Sequence, residues 1–205
     1  MAKDLAHFHH IHSSQNGPGA TYQVFHGPSF AAQSTRTLLL TRDAMVAIPF
    51  LTGDGGPIMD VAVNVFTARA NAEGRVAFYR NVAEGPLRIE AYPAQLIADA
   101  GSFDLTTTGV KTNSIWLPTS ANDLWWFTFV ANSLATMPNL VAEPCFYNVD
   151  AWGVGSQSGA GGFSDNRAAL TIVRSMGEAW PATFPVSATA IRGQNVPLIA
   201  VRFGV

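Results

Sequence analysis

Apolar and polar positions along much of the chain alternate with a period of two. Val61, Val63 and Val65 are separated by Ala62 and Asn64, and Leu87, Ile89 and Ala91 alternate with Arg88, Glu90 and Tyr92. Successive side chains of a strand point to opposite faces, so this pattern predicts β-strands. One run departs from it. Leu124-Trp125-Trp126-Phe127-Thr128-Phe129-Val130 is apolar at nearly every position, which predicts a central strand covered on both faces. Further strands are predicted over residues 36–41, 44–50, 75–81, 112–117, 144–149, 169–174 and 197–203. Turn signals separate them: Gly53-Asp54-Gly55-Gly56-Pro57, residues 71–74, Glu84-Gly85-Pro86 and Ala121-Asn122-Asp123. Residues 93–100 suit one short helix. The stretch after the aromatic strand, as far as Ala142, reads as a loop, because Asn132, Ser133, Thr136, Pro138 and Asn139 leave too short an apolar run to span a membrane.

Many short strands with frequent turns predict an all-β fold, a jelly-roll-like antiparallel β-sandwich. The pattern divides the chain at about residue 35. Between Leu5 and Thr35 there is no Asp, Glu, Lys or Arg, yet the stretch holds all five histidines and the turn-rich run Ser13-Ser14-Gln15-Asn16-Gly17-Pro18-Gly19. Such a segment has too little apolar content for a core of its own. Residues 1–35 are therefore predicted to be an extended attachment or oligomerisation arm, and residues 36–205 the sandwich.

Composition narrows the function. Of 205 residues 48% are hydrophobic but only 13% charged, and the formal net charge is −2. An average domain carries about 25% charged residues, so the polar surface here is expected to be Ser, Thr, Asn and Gln. Lysine occurs only at Lys3 and Lys111, which argues against a nucleic-acid binder held by phosphate contacts. The start lacks the apolar stretch of a signal peptide, and membrane insertion is not expected. Cys145 is the one cysteine; it excludes an internal disulfide and is expected to be a small core residue.

Recognisable catalytic signatures are mostly absent from the sequence. No P-loop, zinc-protease, nucleophile-elbow or kinase signature is present. Gly153-Val154-Gly155 and Gly159-Ala160-Gly161 lack the spacing of a dinucleotide loop. No histidine follows His26, so a Ser-His or Cys-His pair inside the sandwich would need the arm. A carboxylate pair could hydrolyse glycosides, but Asp99, Asp104, Asp123, Asp150 and Asp165 lie singly among turn signals, where turn and capping duties account for them. The chain is expected not to be an enzyme. A binding role has more support around the Gly-rich run 153–162. Asn148, Asp150 and Trp152 precede it, and Phe163, Asp165, Asn166 and Arg167 follow it. An aromatic ring stacks on the CH face of a sugar while neighbouring amide, carboxylate and guanidinium groups hold its hydroxyls. The predicted binding residues are thus Asn148, Asp150, Trp152, Asp165 and Arg167. Trp180, in Glu178-Ala179-Trp180-Pro181, is expected to pack.

Between Ala44 and Val130 the sequence resembles a β-sandwich module of tailed-bacteriophage minor tail and fibre proteins. The resemblance rests on Met45-Val46-Ala47-Ile48-Pro49-Phe50, Met59-Asp60-Val61-Ala62-Val63-Asn64-Val65, and Arg75-Val76-Ala77-Phe78-Tyr79-Arg80-Asn81 followed by Leu87-Arg88-Ile89. Its most recognisable part is Asp99-Ala100-Gly101-Ser102-Phe103-Asp104-Leu105-Thr106-Thr107-Thr108-Gly109-Val110-Lys111, ending in the Trp125-Trp126 strand. Asn166-Arg167-Ala168-Ala169-Leu170 and Pro197-Leu198-Ile199-Ala200-Val201-Arg202-Phe203 also fit. The chain departs from the pattern where Ala121-Asn122-Asp123 replaces the more usual Pro/Gly turn. The resemblance covers about half the chain, and its motifs mark a fold rather than an active site. It implies a virion structural protein of tail-fibre, tail-tip or spike type. Such a protein would be joined to other virion proteins through the arm, assembled as a homotrimer, and displayed towards a host-surface glycan. A capsid or tail decoration protein without a receptor is the alternative, and a glycan-degrading particle enzyme a more remote one.

The arm adds one candidate metal centre. In an extended strand His7 and His9 share one face and His10 and His12 the other. One pair supplies too few ligands for a closed shell. Three pairs around a three-fold axis would supply an octahedral set for a transition-metal ion, a use of His-x-His pairs that phage fibres share. The competing reading is a polar arm whose neutral histidines hydrogen-bond to a neighbouring subunit.

Overall fold

The computed structural model describes residues 11–15, 21–25, 36–52, 55–82, 92–121, 123–134, 136–144, 167–192, 195–197 and 199–204. Over these residues the chain is all-β, as the alternation predicts, and its strands form two antiparallel sheets. In chain order the strands are β1 (Ile11–Gln15), β2 (Thr21–Phe25), β3 (Arg36–Leu39), β4 (Ala44–Leu51), β5 (Gly56–Thr67), β6 (Glu73–Val82), β7 (Tyr92–Asp104), β8 (Gly109–Thr119), β9 (Leu124–Asn132), β10 (Asn139–Pro144), β11 (Arg167–Val173), β12 (Thr189–Arg192), β13 (Asn195–Pro197) and β14 (Ile199–Phe203).

The first sheet runs β1-β2-β14-β5-β10-β13, with β3 beside β10 and β8 beside β5. The second runs β12-β11-β4-β9-β6-β7. β1 and β2 pair with each other, and β2 lies along β14 with Thr21 opposite Phe203. The described part of the arm thereby extends the first sheet.

The alternation of β5 explains the sandwich. Val61, Val63 and Val65 point inward, joined by Ile199, Val201 and Phe203 of β14, and meet Phe50, Phe78, Phe103, Trp125, Phe127 and Phe129 from the second sheet. Phe50 and Phe127 stack with centroids 3.9 Å apart, and Phe78 packs at 5.4 Å from Phe127. A tilted pair such as Phe78–Phe127 adds about 0.5–1.5 kcal/mol beyond area burial.

β9 is the central strand that its sequence predicts, and it is buried from Trp125 through Ala131. Trp125, Phe127 and Phe129 face the inter-sheet core, whereas Trp126 and Val130 face the other way into a second apolar cluster with Met45, Ala47, Tyr79 and Tyr92. Thr128, the one polar residue inside this run, donates from Oγ1 to the Ala77 carbonyl at 3.1 Å, which removes the cost of burying it. The second cluster is closed by residues 174–188, which lie across the sheet and insert Trp180, Phe184 and Ala188.

Two expectations are corrected. Residues 93–100 belong to β7, a strand paired with β6 from Val82↔Tyr92 to Glu73↔Asp104, and not to a helix. Extended backbone lets β7 satisfy β6 and also bond residues 174–188 through Leu96 N–H to Ala182 O and Phe184 N–H to Ala94 O; a helix would leave these groups unpaired. The loop reading up to Ala142 fails from Asn139 onward. Leu140 and Ala142 are buried, and β10 pairs with β3, β5 and β13.

The turn between β4 and β5 shows how tightly these connections are specified. Gly55 has φ +80°, and a Cβ there would sit 2.7 Å from the Ala121 nitrogen, so only glycine fits. Buried Thr52 accepts at Oγ1 from Asp123 N–H at 2.9 Å and donates to the Ser120 carbonyl, tying this turn to the one before β9.

Candidate functional site

The outer face of the first sheet carries an arrangement that the rest of the fold does not require. β8 keeps strict alternation. Lys111, Asn113, Ile115 and Leu117 turn inward or to the sheet corner, and Val110, Thr112, Ser114 and Trp116 turn outward. The register places Ser114 opposite Asp60 and Thr112 opposite Ala62 on β5, while Arg202 and Ala200 of β14 flank the same two residues from the other side. A row Ser114–Asp60–Arg202 therefore crosses three strands.

Its chemistry is closely coupled. Asp60 is 6% exposed. Arg202 donates to its Oδ2 through both Nε and Nη2, and Ser114 Oγ donates to its Oδ1 at 2.9 Å. The carboxylate is thus satisfied on both oxygens, which is what permits its burial. Bonding to Asp60 fixes the Ser114 hydroxyl as a donor inward, leaving its lone pairs for an external donor. The backbone helps to create the row. Ile58 and Val61 both face inward, so β5 is bulged between them, and the register with β14 and with β8 shifts there. Such a bulge re-aims a side chain, and here it brings Asp60 to the outer face.

Beside the row stands Trp116, 68% exposed, and further along the same face lie Val110 and Phe66, 65% and 55% exposed. Single exposed apolar residues are ordinary. An exposed indole one alternation from a buried charged row is not explained by packing. The floor between the aromatic ends is low, being made of Ala62 and Ala200, with Thr112 and Asn64 at its sides.

The predicted binding residues Asn148, Asp150, Trp152 and Asp165 lie outside the described residues, as do Cys145, residues 145–149 and the run 153–162. Arg167 opens β11, its backbone opposite Arg192 of β12. Of the predicted metal ligands, His12 lies in β1 opposite Val24, and His7, His9 and His10 are outside the described residues. Among the described residues no three His, Cys, Asp or Glu side chains are grouped to hold a metal ion.

Of the carboxylates considered for acid–base work, those of Asp99 and Asp104 have local partners. Asp99 pairs with Arg75 at 2.7 Å and accepts from Gly101 N–H. Asp104 accepts from both the backbone and the hydroxyl of Thr106, and these two bonds hold its carboxyl below the usual range. Asp123 sits in the turn before β9, its backbone bonded to Thr52. Trp180 packs, as expected. It is buried against the second sheet with the Arg75 guanidinium 5.2 Å from its ring centroid.

Trp116 is not among the predicted binding residues, although its neighbours carry a signal for it. In Ser114-Ile115-Trp116-Leu117 the aliphatic residues on either side claim the inward face, which leaves Trp116 outside. The row itself had no local signal, because Asp60 and Arg202 are 142 positions apart.

No protein-family profile matches the chain, and no curated protein matches it. Among solved structures it is similar to one described as the cysteine protease and lectin-like domains of Cwp84, a surface layer associated protein of Clostridium difficile. The identity is 10% and the TM-score 0.47, over 79% of this chain and 32% of that one. This chain therefore spans about a third of that neighbour's length. Among the described residues no helix is long and apolar enough to cross a membrane.

Proposed function

We propose that this chain is a non-enzymatic carbohydrate-binding β-sandwich, and that the outer face of β8, β5 and β14 is its recognition surface. The observation that carries the reading is Trp116, exposed on a sheet face beside the Ser114–Asp60–Arg202 row. The indole would take the CH face of a pyranose. Ser114, Thr112 and Asn64 offer hydroxyl and amide groups to the sugar hydroxyls from the same face, and Arg202 retains donors beyond those spent on Asp60. The surface is built on strands rather than loops, so it binds without ordering a flexible segment.

The setting we propose is a bacteriophage particle, with the sandwich displayed towards a host-surface glycan and the arm joined to other virion proteins in a homotrimer. The support for this part is the resemblance of Ala44 to Val130 to minor tail and fibre modules. Affinity electrophoresis through gels containing bacterial envelope polysaccharides tests the binding. The wild-type protein should be retarded by at least one of them, and folded Trp116→Ala should run as in a gel without polysaccharide. Equal retardation of the two proteins would overturn the assignment of the face. Retardation by none would favour a decoration protein without a receptor.

A further inference from the structure

We infer that the ligand is an uncharged, linear oligosaccharide laid along β8 and β5, rather than a single terminal sugar or an acidic glycan. The inference rests on the carbohydrate reading and deepens it.

Two features of the face carry it. The first is its length. Trp116 lies two residues beyond the Ser114–Asp60 register pair, and Phe66 lies six residues beyond it in the opposite spatial direction. Eight strand steps at about 3.3 Å each separate the two rings by roughly 25 Å along the strands. A monosaccharide covers only one end of such a track. Between the rings the outward positions are Ser114, Asp60, Thr112, Ala62, Asn64 and, opposite Asn64, the exposed Val110, so hydrogen-bonding groups and a small floor residue lie beside one apolar β-branched side chain near the Phe66 end. A platform at each end with polar groups between them suits a chain of several sugars, because each ring in turn can offer hydroxyls to the strand beneath. The strand face is also open, whereas a pocket for one terminal sugar needs walls, and among the described residues none rises from these positions.

The second feature is charge. Asp60 and Arg202 are the charged residues that face outward on β5, β8 and β14, and they neutralise each other in one ion pair. Lys111, the one charged residue of β8, stands at the inward register position opposite Val63 and bonds Thr107. A carboxylated or sulfated chain would find no uncompensated cation along the track. An uncharged chain needs none, and its binding should depend little on ionic strength.

Isothermal titration of the full chain with uncharged gluco-, manno-, galacto- and xylo-oligosaccharides, from disaccharide to hexasaccharide, tests both features, with hyaluronan and polygalacturonate fragments as acidic comparators. The expected result is that affinity within the recognised series rises about tenfold or more from disaccharide to hexasaccharide, roughly the effect of one added aromatic contact. Phe66→Ala should remove that rise while leaving disaccharide affinity unchanged, and Trp116→Ala should weaken every length. Raising salt from low to physiological strength should change the hexasaccharide affinity less than twofold. Equal affinity for disaccharide and hexasaccharide, with Trp116→Ala still weakening both, would overturn the linear-track inference and leave the carbohydrate reading intact. Preference for the acidic fragments would overturn the uncharged-ligand part in the same way. Wild-type and Trp116→Ala proteins that bind equally would overturn the assignment of this face, and with it the track, whereas binding of none of the oligosaccharides would overturn the carbohydrate reading itself.

Discussion

The two outer faces of the sandwich use the same three residue types to opposite ends. On the second sheet Arg75 pairs with Asp99 and lies over Trp180; on the first Arg202 pairs with Asp60 one alternation from Trp116. Residues 174–188 cover the first of these assemblies. Arg75 donates to the carbonyls of Met176 and Glu178, Tyr79 to that of Pro181 at 2.8 Å, and Tyr92 to that of Pro185 at 2.6 Å. The side chains of Arg75, Tyr79 and Tyr92 that reach into this layer thus fasten the protein's own chain. On the first sheet no described segment lies over Trp116. A tryptophan, an arginine and an aspartate thus serve as internal adhesive where the chain folds back over them, and become a candidate recognition surface where it does not. Residue type alone does not separate these roles; coverage does.

The contrast can be broken most forcefully at the covered face. Trp180→Ala removes a large buried side chain and leaves Arg75 over a cavity, so a loss of about 3 kcal/mol is expected. Chemical denaturation should show it, and hydrogen exchange should show opening of residues 174–188. Trp116→Ala removes as large a side chain from the bare face and should cost less than about 0.5 kcal/mol. Similar losses for the two variants would show that Trp116 packs against something and would abolish the contrast.

Asp60→Ala should have an intermediate effect of about 2 kcal/mol, because it strands Arg202 and the Ser114 hydroxyl on a partly buried row. Asp60→Asn keeps the shape and part of the hydrogen bonding and should cost less in the same denaturation experiment.

A smaller and pH-dependent effect belongs to the covered face alone. Burial pushes the Tyr92 phenol up to about 12. Burial raises Tyr79 further, with Arg174 opposing and Asp99 adding to the rise. Below the ordinary phenol value both folded and unfolded chains keep these protons, so the stabilisation is fully present. Above about pH 10 the unfolded chain releases them first. Stability should therefore fall as pH rises through the folded values, beginning near pH 10 and continuing past the Tyr92 value. Tyr79→Phe/Tyr92→Phe should be less stable at neutral pH by about 1 kcal/mol for each lost hydrogen bond. Its alkaline decline should be shallower in pH-dependent denaturation, while glycan binding by the other face should be the same as in wild type.

Much of the fold was legible in local pattern. The unbroken apolar run at Leu124 to Val130 had to be covered twice, and the two clusters on either side of β9 do so. The period of two in β5 and the inward valines likewise follow from a strand that buries one side. β7 was not legible. Pro93-Ala94-Gln95-Leu96-Ile97-Ala98-Asp99-Ala100 favours a helix by composition, but pairing with β6 and bonding to residues 174–188 outweigh a propensity worth a few tenths of a kcal/mol per residue. β10 was hidden by its short length and polar approach, because its partners β3, β5 and β13 are far away in sequence.

The candidate site divides along the same line. By itself the sequence determined the strands and the inward and outward faces of most of them, hence that Trp116 must leave the core between Ile115 and Leu117. These are consequences of local geometry, since side-chain direction in a strand is fixed by its neighbours. Only the tertiary structure decided that Ser114, Asp60 and Arg202 would stand in one row, that a bulge would turn Asp60 outward, and that residues 174–188 would cover one tryptophan and not the other. Those outcomes depend on the register between strands distant in sequence and on which face a returning segment seals, and neither is written in any single stretch of the chain.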